Sequence, residues 1–179
     1  MKNVVYVVVT ALLWVLLFQL NMFVFSHFKH NLYTTWVFLP AGLRLVSVLL
    51  VDGSAILGLF IGALISYELI GVSLSASLVL SLISAINPYI AIKLSKHLLK
   101  VDDMLSNLRS ENLIFMSLIS SLFNGITQNL YLISIGSDPH PTMGIIVMFI
   151  GDFLGCLIML LLLAWTSKSI RKYISSSNE

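Results

Sequence analysis

Residues 36–53 read W-V-F-L-P-A-G-L-R-L-V-S-V-L-L-V-D-G. The stretch is apolar enough to enter a membrane, yet a proline, a glycine and an arginine sit in its middle. Pro40 has no N–H and its ring clashes with the preceding turn, so a continuous helix does not pass through it. Phe38 and Leu39, just before it, are biased toward extended backbone. Pro40 itself suits the first position of a new helix. The pattern predicts a short lead-in, a break, and a helix over residues 40–51. Arg44 then lies one turn into that helix. A charge at the centre of a membrane helix costs roughly 2.5–3.5 kcal/mol on insertion scales, so it faces protein or water. That marks Arg44 as a candidate site residue.

The rest of the chain is read outward from this stretch. Of 179 residues, 58% are hydrophobic and only 10% charged, with a mean hydropathy of +0.99. Soluble domains carry about 25% charged residues, so a soluble fold would have nowhere to put this much apolar surface. A crossing of about 30 Å needs about 20 apolar residues. Six segments qualify, at residues 4–25, 32–51, 54–70, 74–94, 113–135 and 142–164. The expected fold is an all-α, polytopic transmembrane bundle of six spans, broken at Pro40 and kinked at Asn87-Pro88. The first run is longer than a signal-peptide core and no small-x-small cleavage site closes it, so it is read as a retained span. Residues 95–112 are polar but carry Leu98, Leu99, Val101, Met104, Leu105 and Leu108, which predicts an amphipathic interfacial helix. Residues 165–179 form a basic, then serine-rich tail expected to fray.

Charge sets the orientation. With both ends on one side, that side holds Lys2, Lys93, Lys96, Lys100, Arg109, Lys168, Arg171 and Lys172, and the other holds only Lys29. By the positive-inside rule both termini are cytoplasmic.

Polar groups within spans are the candidates for function. Ser117, Ser121, Asn124 and Gln128 follow i, i+4, i+7, i+11 and share one helix face. They either line a ligand cavity or hydrogen-bond between helices, the latter worth about 0.6 kcal/mol on average. Asp152, within I-G-D-F-L-G-C, must be paired, protonated or wet. Counted from the outer ends of their spans, Arg44 and Asp152 both lie ten residues in, about 15 Å deep at 1.5 Å per residue. Asn124 falls at a similar level. Arg44, Asp152 and Asn124, with Gln128 on the same face as Asn124, are expected to form one buried polar cluster, with an arginine–carboxylate pair joined by two parallel hydrogen bonds. Ser54, Gly58, Gly62 and Ser66 recur every fourth residue, the small-xxx-small pattern of close helix packing, and Gly151 with Gly155 repeats it. Glu68 is read as a boundary carboxylate at the outer end of its span. Pro40 and Asn87-Pro88 give two interrupted helices, as transporters use to build midplane sites.

Other chemistry is poorly served. His27, His30, His97 and His140 show no metal-ligand spacing, and no metal or cofactor is expected. The chain has no H-E-x-x-H, P-loop, G-x-G-x-x-G or G-x-S-x-G motif. Asp152 has no second membrane aspartate, since Asp52 falls in a turn, and Cys156 has no histidine within a span to serve as base. An enzyme is not expected. No basic, aromatic-interleaved patch points to nucleic acid.

Three stretches, F-L-P-A-G-L-R-L-V-S-V-L-L, I-L-G-L-F-I-G-A-L-I-S and F-I-G-D-F-L-G-C-L-I-M-L-L-L-L, resemble the first type of membrane-associated sensor domain, the MASE family. Pro40 and Gly42 match its W-x-P-x-G segment, with Trp36 near the tryptophan. Gly151, Asp152 and Gly155 match its W-x-G-D-x-x-G segment. The resemblance covers residues 32–163. It implies a bacterial inner-membrane input module working ahead of a histidine kinase, diguanylate cyclase or phosphodiesterase. The family continues beyond six helices, whereas this sequence stops there without an output domain, so the implied signal leaves through a separate partner. The expected function is a sensor-like, ligand-binding membrane module. The alternatives are a small transporter, a transporter's substrate-binding subunit, or a membrane scaffold. Membrane lipid and a second copy of the chain are further expected partners.

Overall fold

Thr10, Ala11, Trp14, Phe18 and Asn21 make one helical stripe on the first helix, α1 (Lys2–Val24), and in the computed structural model that stripe alone is buried. The rest of α1 presents Val5, Val8, Leu12, Leu16 and Leu20 outward. The structure describes residues 2–102, 105–137 and 140–176. Within them are five more α-helices: α2 (Pro40–Val51), α3 (Ser54–Leu69), α4 (Leu74–Leu99), α5 (Ser110–Ser134) and α6 (Pro141–Ser176). The described residues form no strand beyond a single bridge between Lys29 and Thr35. The bundle buries many polar groups beside an apolar core and turns an apolar surface outward. Ser77, Ser81, Ser84, Ser117, Ser121, Asn124, Gln128 and Asp152 are buried, while Leu57, Leu82, Leu118, Leu130 and Leu161 are exposed. In water this distribution would be costly; against hydrocarbon it is the stable one.

Four helices are long and apolar enough to cross a membrane: α1, α4, α5 and the part of α6 over Thr142–Ser167. Six spans are expected from the sequence; the difference lies in α2 and α3, which are apolar and fall where expected but are shorter than a crossing helix. Each has a local cause. Proline sets the start of α2, whose 12 residues rise only about 18 Å. α3 is stopped by Gly71, at φ +80, with the Gly71 N–H donating to Glu68 O and Val72 N–H to Tyr67 O. Its 16 residues rise about 24 Å.

The chain before Pro40 is a strap, residues 29–39, laid across α6. Thr35 and Phe38 place their carbonyl oxygens where a β-carbon on Gly151 or Gly155 would stand, and Phe38 N–H donates to Gly151 O at 3.0 Å. Only glycine at both positions lets the backbones meet this closely. Gly42 likewise lets α2 close on α6, since a β-carbon there would overlap Met159. The exposed N-terminal amides of α2 are met in part by α1: Leu39 N–H donates to Asn21 Oδ1 at 2.8 Å.

Two other expectations are corrected. α4 runs unbroken through Pro88 and on to Leu99, so residues 95–99 belong to it rather than to an interfacial helix. Lys100, in the left-handed conformation at φ 51, ends it. The following turn is closed by side chains: Ser106 N–H donates to Asp102 Oδ1 and Asn107 Nδ2 to Lys100 O. Val101, Leu105 and Leu108 reach the core from this turn, which is why their spacing mimics an amphipathic helix. Second, α6 continues helically to Ser176 instead of fraying after residue 164; residues 177–179 lie outside the described residues.

α1 and α3 share the most extensive helix interface and run parallel. A β-carbon on Gly58 would stand 2.7 Å from Thr10 Cβ, and one on Gly62 would stand 2.7 Å from Trp14 Cβ. Gly62→Leu is therefore expected to cost about 1–3 kcal/mol by overpacking. Size-exclusion profiles and thermal unfolding of the purified variant in detergent check this. A parent-like profile and midpoint would mean the glycine is incidental.

Candidate functional site

Every helix contributes to one polar centre. Arg44 projects from α2 and Asp152 from α6, and Arg44 Nη2 lies 2.6 Å from Asp152 Oδ2 with the side chains only 2% and 3% exposed. Asn124 Nδ2, from α5, donates to the same oxygen at 2.6 Å. The expected fork of two parallel bonds does not form, because Arg44 Nη1 turns instead toward Ser84 Oγ on α4, at 3.4 Å. The guanidinium carbon is flanked by aromatic rings, 5.8 Å from the Trp14 centroid on α1 and 5.6 Å from Phe38 on the strap. Both rings shield the cation from lipid and attract it through their faces.

The donors and acceptors run in one consistent order. Asn124 spends its amide N–H on Asp152, so its oxygen is free to accept from Gln128 Nε2 at 2.9 Å. Gln128 Oε1 in turn faces the Tyr67 hydroxyl of α3 at 3.5 Å. Asn87 Nδ2 donates to Thr127 Oγ1 at 2.5 Å and lies 3.5 Å from Asn124 Oδ1, which ties α4 into the set.

This centre forms the floor of a cleft lined by Tyr33, Thr34, Thr35, Phe38, Tyr67 and Met148 as well as Asn124, Gln128 and Asp152. The cleft is narrow, with a cavity volume of about 10 Å³. That is room for one water. Thr34 is 1% exposed, and among the described residues its hydroxyl has no hydrogen-bond partner. A buried hydroxyl without a partner costs about 1–3 kcal/mol. It is therefore a group waiting for a bond.

The structure thus brings together Arg44, Asp152, Asn124, Gln128 and Asn87. Gly42, Gly151 and Gly155 position the elements that carry them. Gly58 and Gly62 belong to the α1–α3 interface, and Pro88 sits within α4. Glu68 is exposed at the end of α3. Among the described residues no three His, Cys, Asp or Glu side chains gather as a metal site. Sequence reasoning missed Tyr67, Thr34, Trp14 and Asn21. A signal existed for Asn21, a polar residue seven positions after Trp14 on one face of an otherwise apolar helix. For Thr34 none existed, because its burial depends on where the strap lies.

No family model, curated protein or solved structure matches this chain.

The ion pair gives a sharp test. Removing one partner of a buried pair leaves an uncompensated charge, a loss of about 3–5 kcal/mol. Arg44→Leu and Asp152→Leu are each expected to destabilise by that order. The double variant should recover part of the loss, since it buries no charge. Unfolding in mixed micelles closes the cycle, and strict additivity would dissolve the pair as an energetic unit.

Proposed function

We propose that the chain is a bacterial inner-membrane sensor-like module of six spans that binds a small polar solute beneath the strap and signals through a separate partner. In this reading the strap and α2 together make one broken crossing and α3 makes a short one. Both termini lie in the cytoplasm, and the partner is a histidine kinase or a diguanylate cyclase. The resemblance to membrane-associated sensor domains supports the class. The observation that carries it is the unpartnered Thr34 hydroxyl in a cleft floored by the Arg44–Asp152 pair.

The floor also selects the ligand's charge. Arg44 and Asp152 together are neutral, so an ion added beside them would leave a net charge deep in the bundle. That costs several kcal/mol. A neutral or zwitterionic solute adds none, and a zwitterion finds complementary ends at a carboxylate and a guanidinium. The solute class is therefore small, polar and without net charge.

Thr34→Val separates this from a purely structural role. It removes a hydroxyl with no partner, so stability should hold or rise. Solute affinity should fall up to about tenfold, the value of one hydrogen bond. Thermal-shift screening of the parent against neutral, zwitterionic and charged solutes identifies the probe, and titration of the variant follows. Stabilisation by singly charged solutes alone would overturn the reading. For topology, a periplasm-active phosphatase fused after Ser176 should be inactive.

One feature favours a second reading, a transporter or its substrate-binding subunit: the helix that begins at Pro40 in the middle of a crossing. Uptake of the identified solute into proteoliposomes would support it, and binding without flux would leave the sensor reading in place.

A further inference from the structure

A second cluster, remote from the cleft, forms where α4 ends. Lys93, Lys96 and His97 follow i, i+3, i+4 on one face of the last turns of α4, and Lys100 caps the helix beside them. With Val101 and Asp102 they line a shallow, open groove. Two of its charges are already engaged. Lys93 Nζ lies 3.3 Å from Asp52 and 5.5 Å from the Tyr89 ring centroid. Asp102 takes the Ser106 backbone N–H at 2.8 Å on one oxygen and the Ser106 hydroxyl on the other. Among the described residues no carboxylate pairs with Lys96, His97 or Lys100. Basic side chains thus outnumber the one carboxylate, Asp102, that lines the groove, and none of these three is within ion-pair distance of a described carboxylate.

Hydrogen bonds close the turn beside the groove. Val101 N–H donates to Lys96 O at 3.0 Å, Asp102 N–H to Asn107 Oδ1 at 3.1 Å, and Asn107 Nδ2 to Lys100 O at 3.0 Å. Lys100 is held in the left-handed conformation, which an L residue with a long side chain seldom adopts. Beside the basic face, on the same helix, Ile90, Leu94 and Leu98 are exposed at i, i+4, i+8. So a basic groove at the end of a crossing adjoins an outward apolar stripe.

We propose that this groove binds the phosphate of an anionic phospholipid, with the headgroup on Lys96, His97 and Lys100 and the acyl chains along Ile90, Leu94 and Leu98. Phosphate is the shared chemistry of a lipid headgroup and of free phosphate. The apolar stripe beside the groove selects the lipid. The inference does not depend on what the cleft binds or on which side of the membrane the groove faces.

Native mass spectrometry of the detergent-purified, delipidated protein tests it, by titration with phosphatidylglycerol and separately with phosphatidylcholine. Phosphatidylglycerol adducts should persist to higher activation energy than phosphatidylcholine adducts. The triple variant Lys96→Gln, His97→Gln, Lys100→Asn removes the basic groups and keeps a residue suited to left-handed backbone at 100. It should bind phosphatidylglycerol about a hundredfold more weakly. A charge-keeping set, Lys96→Arg with Lys100→Arg, should retain the lipid. Equal retention of the two lipids by the parent, parent-like retention by the triple variant, or loss in the charge-keeping set would each overturn the site. Millimolar inorganic phosphate that stabilises the protein as well as phosphatidylglycerol does would overturn the lipid assignment in favour of free phosphate.

Discussion

One ion pair sets the terms for the whole bundle. Arg44 and Asp152 sit on different helices, deep among side chains, and neither is tolerable alone in an apolar surround. Once they are joined, α2 and α6 are bound to each other, and the remaining polar capacity must be met locally. Asn124 takes up the carboxylate oxygen that faces α5, Ser84 faces the guanidinium from α4, and Trp14 with Phe38 covers its faces. The order of donors through Asn124 and Gln128 to Tyr67 follows from that first contact, because each amide has only one free end left.

Backbone proximity makes the pair possible. Gly151 and Gly155 flank Asp152 on α6, and each leaves space for a carbonyl oxygen of the strap. The same feature that closes the strap on α6 therefore brings Phe38 over Arg44 and Tyr33–Thr35 over the cleft. Gly42 repeats the device between α2 and α6. Small residues around a charge are here the condition for burying it.

Much of this was legible in the sequence, and the reasons differ by residue. Counting residues from the span ends put Arg44, Asp152 and Asn124 at one level, and the structure brings them together even though the first six residues of the count to Arg44 belong to the non-helical strap. Proline chemistry located the start of α2 to the residue. What failed was anything set by the path of non-helical chain. The strap has no periodicity, so neither its course across α6 nor the burial of Thr34 is written in spacing. The leucines of residues 98–108 have helical spacing, yet Lys100 adopts a left-handed backbone and the later leucines reach the core from a turn. The bounds of α2 and α3 were legible to within a residue, but the number of helices long enough to cross was not: neither of these two reaches span length.

The length of α6 has a mechanical meaning. It is unbroken from Asp152 to Ser176, 24 residues farther on, a rise of about 36 Å. A helix without a hinge does not bend sharply, since kinks need a proline, a bulge or an inserted group. Residues 152–176 contain no proline. Any tilt or rotation imposed at the ion pair is therefore carried along a stiff rod, and its far end sweeps a wider arc than the carboxylate that started it.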